Sequence, residues 1–296
     1  MSMRRKALVV SLALVAAARV LSAQNQALNQ APSGLSAQTW TIDGVSRSAL
    51  VAAPKATQPG TRLPLVLVFH GHGGTSANAA RTFRIHEAWP EAVVIYPQGL
   101  PTVGAITDPE GRLPGWQQLP GVNGDRDLHL TDAMLEWAKS HYAIDPARVF
   151  AAGHSNGGSM VYLLWAVRGD QFAAFAPSAS VFRPALAATA TPRPAFIVAG
   201  REDARVPFAS QQRSLEAVLR LDKAAETGIT WSGDARLHAS TAGTDVISYV
   251  HPGGHAMPAD TGALIVRFFK GVMTRGRQQI NIRDEPDAFV HRAFFR

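Results

Sequence analysis

The sequence contains no cysteine among its 296 residues. Without cysteine the chain can form no disulfide framework, and chemistry based on a thiolate nucleophile is excluded. The absence of cysteine does not identify a compartment, although it is compatible with an oxidising one. The sequence also has no internal repeat. With 46% hydrophobic residues, a chain of this length can bury one large core.

The chain has little excess charge once its N-terminus is set aside. The formal net charge is +7, from 29 basic and 22 acidic residues. Four of the basic residues, Arg4, Arg5, Lys6 and Arg19, lie in the first 23 residues, which contain no acidic residue. This leaves 25 basic and 22 acidic residues, a net charge of +3. Because most of the basic excess disappears in this way, no nucleic-acid partner is expected.

Residues 1–23 have the pattern of a secretory signal peptide. Three basic residues precede an apolar run at residues 7–18, and small residues follow it at Ser22 and Ala23. The apolar run is short for a transmembrane span, although an uncleaved membrane anchor remains the alternative. We therefore expect a secreted protein, periplasmic or extracellular, with no membrane association after cleavage. Residues 24–37, rich in Gln, Asn, Ala and Ser, predict a flexible mature N-terminus.

Predicted strands alternate with predicted helices along residues 38–272, which we interpret as one catalytic domain. A hairpin is predicted over residues 40–51, because Asp43-Gly44 is a typical two-residue turn. The predicted strands are residues 63–69, 92–96, 149–152, 172–176, 195–199, 235–240 and 246–250. The predicted helices are residues 76–89 (with Ser76 as a candidate cap), 128–142, 208–221 and 261–270. This alternation predicts an α/β fold with a mostly parallel central sheet and helices on both faces. The pattern does not place the tail, residues 273–296.

The most informative stretch is Gly153-His154-Ser155-Asn156-Gly157, a G-x-S-x-G pattern between the apolar strand 149–152 and an apolar helix. A strand, a tight turn that carries serine and a helix are the context of a nucleophile elbow. Side chains two residues before or after the serine would clash with the neighbouring strand and helix, and Gly153 and Gly157 avoid this. The next residue, Gly158, allows the helix to pack closely. The sequence therefore predicts Ser155 as a nucleophile.

A serine nucleophile needs a base, and the base needs an acid that orients it. We predict His255 as the base, because it follows a late strand in a Gly-Gly turn. His251 and His238 are weaker candidates, because one ends a strand and the other lies inside one. We predict Asp203 as the acid, just after the strand 195–199, with Glu202 as a weaker candidate. The order Ser, Asp, His along the chain is that of α/β-hydrolases.

Two backbone N–H groups are predicted to form an oxyanion hole. One belongs to Asn156, the residue after the nucleophile, and the other to His72, in the glycine-rich loop after strand 63–69. The alternative role for His70 and His72 is metal binding, but a zinc site requires a third protein ligand. We therefore predict neither a metal nor a cofactor.

Five motifs together resemble the polyhydroxybutyrate depolymerase and feruloyl esterase family of secreted α/β-hydrolases. They are His70-Gly71-His72-Gly73-Gly74, Tyr96-Pro97-Gln98-Gly99, Asp145-Pro146-Ala147-Arg148-Val149, Gly153-His154-Ser155-Asn156-Gly157-Gly158 and Gly253-Gly254-His255. The resemblance implies the α/β-hydrolase fold, and hydrolysis of carboxylic esters through an acyl-enzyme with Ser155, Asp203 and His255. It also implies that Trp116 lines the substrate cleft, with an ordinary half-buried loop tryptophan as the alternative. One departure is Asp125-Arg126-Asp127, where the family often has two adjacent acids.

The expected partner is a small-molecule or polymeric ester, either feruloyl or hydroxyalkanoate in type. The loop at residues 100–123 is expected to set the shape of the pocket. Two other hypotheses stay open: a peptidase or acyltransferase on the same scaffold, and a secreted binding protein without catalytic activity.

Overall fold

A computed structural model describes residues 32–104 and 107–283, with side chains described as far as residue 272. The predicted signal peptide, residues 1–23, lies outside the described residues. So do residues 24–31 of the predicted flexible segment and residues 284–296 of the predicted tail.

The described residues form twelve strands, two of which are only two residues long. They are β1 (Ser36–Ile42), β2 (Val45–Ala52), β3 (Leu63–Phe69), β4 (Val93–Pro97), β5 (Leu100–Pro101), β6 (Pro114–Gly115), β7 (Ile144–His154), β8 (Ala174–Ser178), β9 (Ala195–Gly200), β10 (Ile229–Ser232), β11 (Ala235–His238) and β12 (Val246–His251). The helices described between them are α1 (Ser76–Phe83), α2 (Ile85–Ala88), α3 (Arg126–His141), α4 (Asn156–Arg168), α5 (Pro184–Ala187), α6 (Phe208–Leu221) and α7 (Thr261–Arg283). Within these residues, no helix is both long enough and apolar enough to cross a membrane.

Ten of these strands form one sheet, in the order β1-β2-β4-β3-β7-β8-β9-β12-β11-β10. The six central strands, from β4 to β12, pair in parallel. The two strands at each edge pair antiparallel. This mostly parallel sheet confirms the predicted fold class.

Both faces of the sheet are covered by helices, which explains the continuous apolar run of β3. Leu65, Leu67 and Phe69 face one core, together with apolar side chains of α3 and α4. Val66 and Val68 face the other core, together with apolar side chains of α1 and α7. Because side chains alternate across a strand, a strand buried on both faces needs an apolar residue at every position.

The predicted hairpin is confirmed, with Ile42 opposite Val45. Asp43 and Gly44 have φ angles of 51° and 76°, the backbone that a two-residue type I′ turn requires. Since the strands pair directly on either side of this turn, it sets the register of the whole hairpin.

The helix predicted over residues 76–89 is instead two helices, α1 and α2. Arg84 lies between them with a φ of 49°, in the left-handed region, and this ends α1. The proposed cap Ser76 is also wrong: the cap is Thr75, whose hydroxyl accepts a hydrogen bond from the Asn78 N–H at 3.1 Å. Ser76 is the first residue of α1 and is buried.

Other boundaries differ from the sequence-based predictions. Strand β10 and helix α5, each four residues long, were not predicted. The predicted strand 172–176 lies two residues later, as β8. Helix α7 continues to Arg283, so the predicted tail begins inside a helix.

Candidate active site

Ser155 lies at the sharp turn between β7 and α4. Strand β7 ends at His154, and α4 begins at Asn156, so the predicted strand–turn–helix context is present. Ser155 itself has φ 56° and ψ −119°, a strained backbone for a residue with a side chain. Ser155 lines a cleft of about 450 Å³.

Glycine is required on both sides of this turn because backbone passes very close to it. A Cβ atom at Gly153 would overlap the carbonyl of Gly157. A Cβ atom at Gly157 would overlap the carbonyl of Phe69 and stand 2.5 Å from that of His70. The predicted clash is therefore real at both positions.

The structure brings Ser155, His255 and Asp203 into one hydrogen-bonded chain. Ser155 Oγ lies 2.9 Å from Nε2 of His255, and Nδ1 of His255 lies 2.8 Å from Oδ2 of Asp203. His255 comes four residues after the end of β12, and Asp203 comes three residues after the end of β9. Parallel strands end at the same edge of the sheet, so residues 100 positions apart in sequence meet there.

Asp203 is buried and its two oxygens are fully engaged. Oδ1 accepts from the N–H groups of Arg205 and Val206, at 2.8 and 2.9 Å, and Oδ2 also accepts from Gln211 Nε2 at 2.9 Å. Burial disfavours the carboxylate, but the hydrogen bond from His255 and the two backbone N–H groups outweigh it. They hold the pKa of Asp203 below its ordinary value, so the group stays charged beneath His255.

A second histidine, His154, packs against His255 with a centroid distance of 4.8 Å and the two ring planes tilted by 53°. Burial lowers the pKa of His154 to about 4, so it stays neutral near pH 7. His251, a weaker candidate for the base, is the last residue of β12 and is buried. Glu202, the weaker candidate for the acid, is exposed, whereas Asp203 is buried.

The loop after β3 approaches the nucleophile closely. A side-chain carbon at Gly71 would stand 3.4 Å from Cβ of Ser155, and both His72 and Asn156 line the cleft. The N–H of Gly73 donates to Pro114 and that of Gly74 donates to Gly71. Among the described residues, no backbone carbonyl accepts from the His72 N–H. His72 and Asn156 are thus placed where an oxyanion would need donors, and their role stays a prediction.

His70 is buried behind this loop and holds its shape. Its Nδ1–H donates to the Gly71 carbonyl at 2.7 Å, and its Nε2 accepts from the Gly99 N–H at 3.0 Å. Burial lowers the pKa of His70 to about 4, which keeps this ring neutral. The side chains described, those of residues 32–104 and 107–272, include no group of three able to hold a metal ion.

His72 is held by the long loop at residues 100–123. Its Nε2 lies 3.3 Å from Oδ2 of Asp108, and the same carboxylate oxygen accepts from the Leu113 N–H at 2.7 Å. Gly104 packs so closely that a Cβ there would stand 2.7 Å from the His72 ring. The loop therefore borders the cleft and also fixes the His72 ring, and its role in setting the shape of the pocket stays a prediction.

Trp116 does not line the cleft, which corrects the expectation drawn from the resemblance. Its side chain is only 1% exposed and packs edge-on against Phe69, at a centroid distance of 5.2 Å. Its indole Nε1–H donates to the His70 carbonyl at 2.8 Å. Trp116 is therefore a buried residue that connects its own segment to the loop after β3.

Two cleft residues that the sequence analysis did not single out are Arg183 and Arg205. Arg205 lies two residues after Asp203, and Arg183 follows β8, so both come after strand ends on the cleft side. Their place after strand ends was the signal that the sequence offered. Charged residues are common in loops, so this signal alone could not identify the two arginines.

Comparisons with known proteins support the α/β-hydrolase fold. Residues 116–191 match the model of the prolyl oligopeptidase family, Peptidase_S9. The curated relative "Putative esterase NocK" of Nocardia uniformis subsp. tsuyamanensis is 30% identical over 166 residues, which cover 54% of this chain and 45% of the relative. The match therefore spans less than half the length of that relative.

Two solved structures superpose on most of the chain. Acetyl xylan esterase from Aspergillus awamori has a TM-score of 0.57 at 16% identity, and covers 79% of this chain and 99% of its own. A ferulic acid esterase has a TM-score of 0.55 at 15% identity, and covers 81% and 98% respectively. At these identities the similarity shows the fold, and this chain has the α/β-hydrolase fold.

Proposed function

We propose that this chain is a secreted serine hydrolase of carboxylic esters, feruloyl or hydroxyalkanoate in type, that acts through an acyl-enzyme. The observation that carries the proposal is the hydrogen-bonded chain from Ser155 Oγ through His255 to Asp203, at a cleft open to a ligand. The esterases among the similar proteins support it.

The reaction follows from this geometry. Ser155 Oγ attacks the ester carbonyl carbon while His255 Nε2 takes the hydroxyl proton, and Asp203 stabilises the imidazolium that forms. The N–H groups of His72 and Asn156 donate to the oxyanion. The intermediate then collapses and breaks the bond to the leaving alcohol, which takes the proton from His255. Water, deprotonated by His255, attacks the acyl carbon. The bond to Ser155 Oγ breaks, Oγ takes the proton back from His255, and the acid leaves.

A panel of esters tests the proposal: short 4-nitrophenyl esters, methyl ferulate and hydroxybutyrate oligomers, each with wild type and Ser155→Ala. We expect turnover of at least one class by wild type, and a loss of about 10³-fold or more in Ser155→Ala. Ser140→Ala is the matched control, since Ser140 is an exposed serine on α3 whose hydroxyl donates to the Trp137 carbonyl and lies 2.9 Å from Nδ1 of the neighbouring His141. Full activity in Ser155→Ala would refute the proposed nucleophile.

A peptidase is the second candidate, favoured by the match of residues 116–191 to the prolyl oligopeptidase family. An acyltransferase would use the same acyl-enzyme, with an alcohol or amine in place of water. Peptide amides in the panel and mass analysis of products with added acceptors separate the three activities. If a fluorophosphonate probe labels Ser155 while no ester is cleaved, the nucleophile is active, and the peptidase and acyltransferase hypotheses are favoured over the esterase.

Secretion is a separate part of the proposal and rests on residues 1–23. Expression of the full chain in a Gram-negative host, followed by intact mass analysis of the periplasmic protein, tests it. We expect a mature chain that begins at Ala23 or Gln24. A cytoplasmic protein of full length would contradict the signal peptide.

A further inference from the structure

Two arginine side chains, Arg183 and Arg205, line the cleft beside Ser155. Arg183 is the residue just before α5, in the segment that follows β8, and Arg205 lies in the segment between β9 and α6. Strands β8 and β9 are parallel neighbours, so the chain leaves both of them at the same edge of the sheet. This topology brings two positive charges to one cleft.

Among the described residues, the cleft offers these charges no carboxylate partner. The described residues that line it include neither Asp nor Glu. In the described part of the chain, no carboxylate lies within 4 Å of either guanidinium, although such pairs form at Arg47, Arg84, Arg112, Arg148 and Arg168. Two carboxylates near the cleft are paired with histidines that line it: Asp203 with His255, and Asp108 with His72.

Each arginine is nevertheless anchored at the cleft, Arg183 by its side chain and Arg205 by its backbone. Nη2 of Arg183 donates to Oε1 of Gln118, which also lines the cleft. The backbone N–H of Arg205 donates to Oδ1 of Asp203, which anchors its residue beside the hydrogen-bonded chain. Burial lowers the pKa of His154, and the positive charge of Arg205 lowers it further. The charge of Arg205 therefore acts electrostatically on the residue that precedes Ser155.

We propose that Arg183 and Arg205 form an anion subsite, and that the preferred substrate is an ester that also carries a free carboxylate. The inference rests on the proposed ester hydrolysis. A guanidinium presents five N–H donors in a planar fork that matches a carboxylate. A hydroxyalkanoate oligomer or a half-ester of a dicarboxylic acid has such a group, whereas methyl ferulate has none. Of the two proposed substrate types, the subsite therefore favours the hydroxyalkanoates.

The test compares esters that differ only in charge. Ethyl hydrogen adipate and its neutral amide, ethyl adipamate, place the group on the acyl side. The 3-acetoxybutyrate anion and 3-acetoxybutyramide place it on the alcohol side. We expect wild type to favour the anionic member of at least one pair by about 10-fold or more in kcat/KM, and the favoured pair shows which side faces the arginines. Raising the salt from about 0.05 M to about 0.5 M should weaken this preference.

The variants Arg183→Gln and Arg205→Gln remove the charge but keep a similar side-chain length. Each is expected to lose about 10-fold on the favoured anionic ester and to keep the rate on its neutral partner within about 2-fold. Arg220→Gln is the matched control, since Arg220 is an exposed arginine at the end of α6, away from the cleft residues. Equal losses on both members of a pair would overturn the subsite, because they would indicate a structural role.

A binding measurement separates the subsite from the reaction. Calorimetry of Ser155→Ala with glutarate should show binding that Arg205→Gln weakens about 10-fold or more. If no ester is cleaved and glutarate still binds in this way, the proposed function fails and the subsite stands. If esters are cleaved without a charge preference, the function stands and the subsite is refuted. Tighter binding of inorganic phosphate than of glutarate would also refute the carboxylate as its ligand.

Discussion

Trp116 and Asn156 are joined by two reciprocal hydrogen bonds. The Trp116 N–H donates to Oδ1 of Asn156 at 2.7 Å, and Nδ2 of Asn156 donates to the Trp116 carbonyl at 3.0 Å. The same tryptophan donates from its indole to the His70 carbonyl. Trp116 thus connects the first residue of α4 to the loop after β3, the two segments that carry the proposed oxyanion donors.

We predict that Trp116→Phe lowers kcat about 10-fold on the best ester and leaves KM within about 2-fold, as expected for a lost hydrogen bond that positions the loop. Trp165→Phe is a matched control, because Trp165 is also 1% exposed and its indole donates to the Thr191 carbonyl at 2.8 Å. It should lose similar stability in thermal unfolding and keep its kcat. A change in KM with kcat unchanged in Trp116→Phe would instead indicate contact with the substrate.

The sequence could identify Ser155, Asp203 and His255 as neighbours because each follows a strand that is recognisable by its apolar run. In parallel strands this position implies a shared edge, so proximity follows from topology alone. Trp116 could not be placed in this way. It lies in a loop without hydrophobic periodicity, and whether its side chain faces the cleft or the core depends on contacts with Phe69 and His70 that are distant in sequence.

Asp203→Asn is predicted to lower kcat by about 10²–10⁴-fold. An asparagine oxygen can still accept from the N–H groups of Arg205 and Val206, but its NH₂ group then faces Nε2 of Gln211 and the ring of His255. The ring can relieve this only by moving its proton to Nε2, where it can no longer accept the Ser155 proton. Steady-state kinetics measure the loss, and Glu202→Gln, one residue earlier and exposed, should change kcat by less than about 2-fold. A mild effect in Asp203→Asn would contradict the orienting role.

A buried ion pair, Arg47–Asp127, lies next to the segment that carries Trp116. Nη2 of Arg47 lies 2.8 Å from Oδ1 of Asp127, and both residues are 0% exposed. Oδ2 of Asp127 accepts from the Gln117 N–H at 2.8 Å, next to Trp116. Sequence reasoning noted Asp125-Arg126-Asp127 only as a departure from a family pattern, because the partner Arg47 is 80 residues away.

Asp127→Ala is predicted to lower the free energy of unfolding by about 3–5 kcal/mol, because it leaves the Arg47 charge buried without a partner. The double variant with Arg47→Met should be less destabilised than the sum of the two single variants, since it removes both charges. Urea unfolding measures all three. Glu136→Ala breaks an exposed pair with Lys139 and should cost no more than about 0.5 kcal/mol. Additive losses at Asp127 and Arg47 would show that the two charges are not coupled.

Asp222, just after α6, is a buried carboxyl with an incomplete set of partners. Its Oδ1 accepts from the Arg193 N–H at 2.7 Å, but within the described residues its Oδ2 has no hydrogen-bond partner. Burial raises the pKa of Asp222 to about 7. The native state therefore holds a proton that the unfolded chain, with an ordinary carboxyl pKa near ~3.9, releases.

Between these two pKa values the native state binds more protons than the unfolded state, so the free energy of unfolding falls as pH rises from about 4 to about 7. Asp222→Asn keeps an oxygen for the Arg193 N–H and cannot ionise. We predict that the variant gains on wild type as pH rises, by on the order of 1–3 kcal/mol between pH 4 and pH 8. Urea unfolding at unit steps of pH measures this difference, with the exposed Asp170→Asn as control. A difference between Asp222→Asn and wild type that stays constant with pH would mean that Asp222 is charged throughout. Its burial would then have to be offset by interactions stronger than the hydrogen bond from the Arg193 N–H.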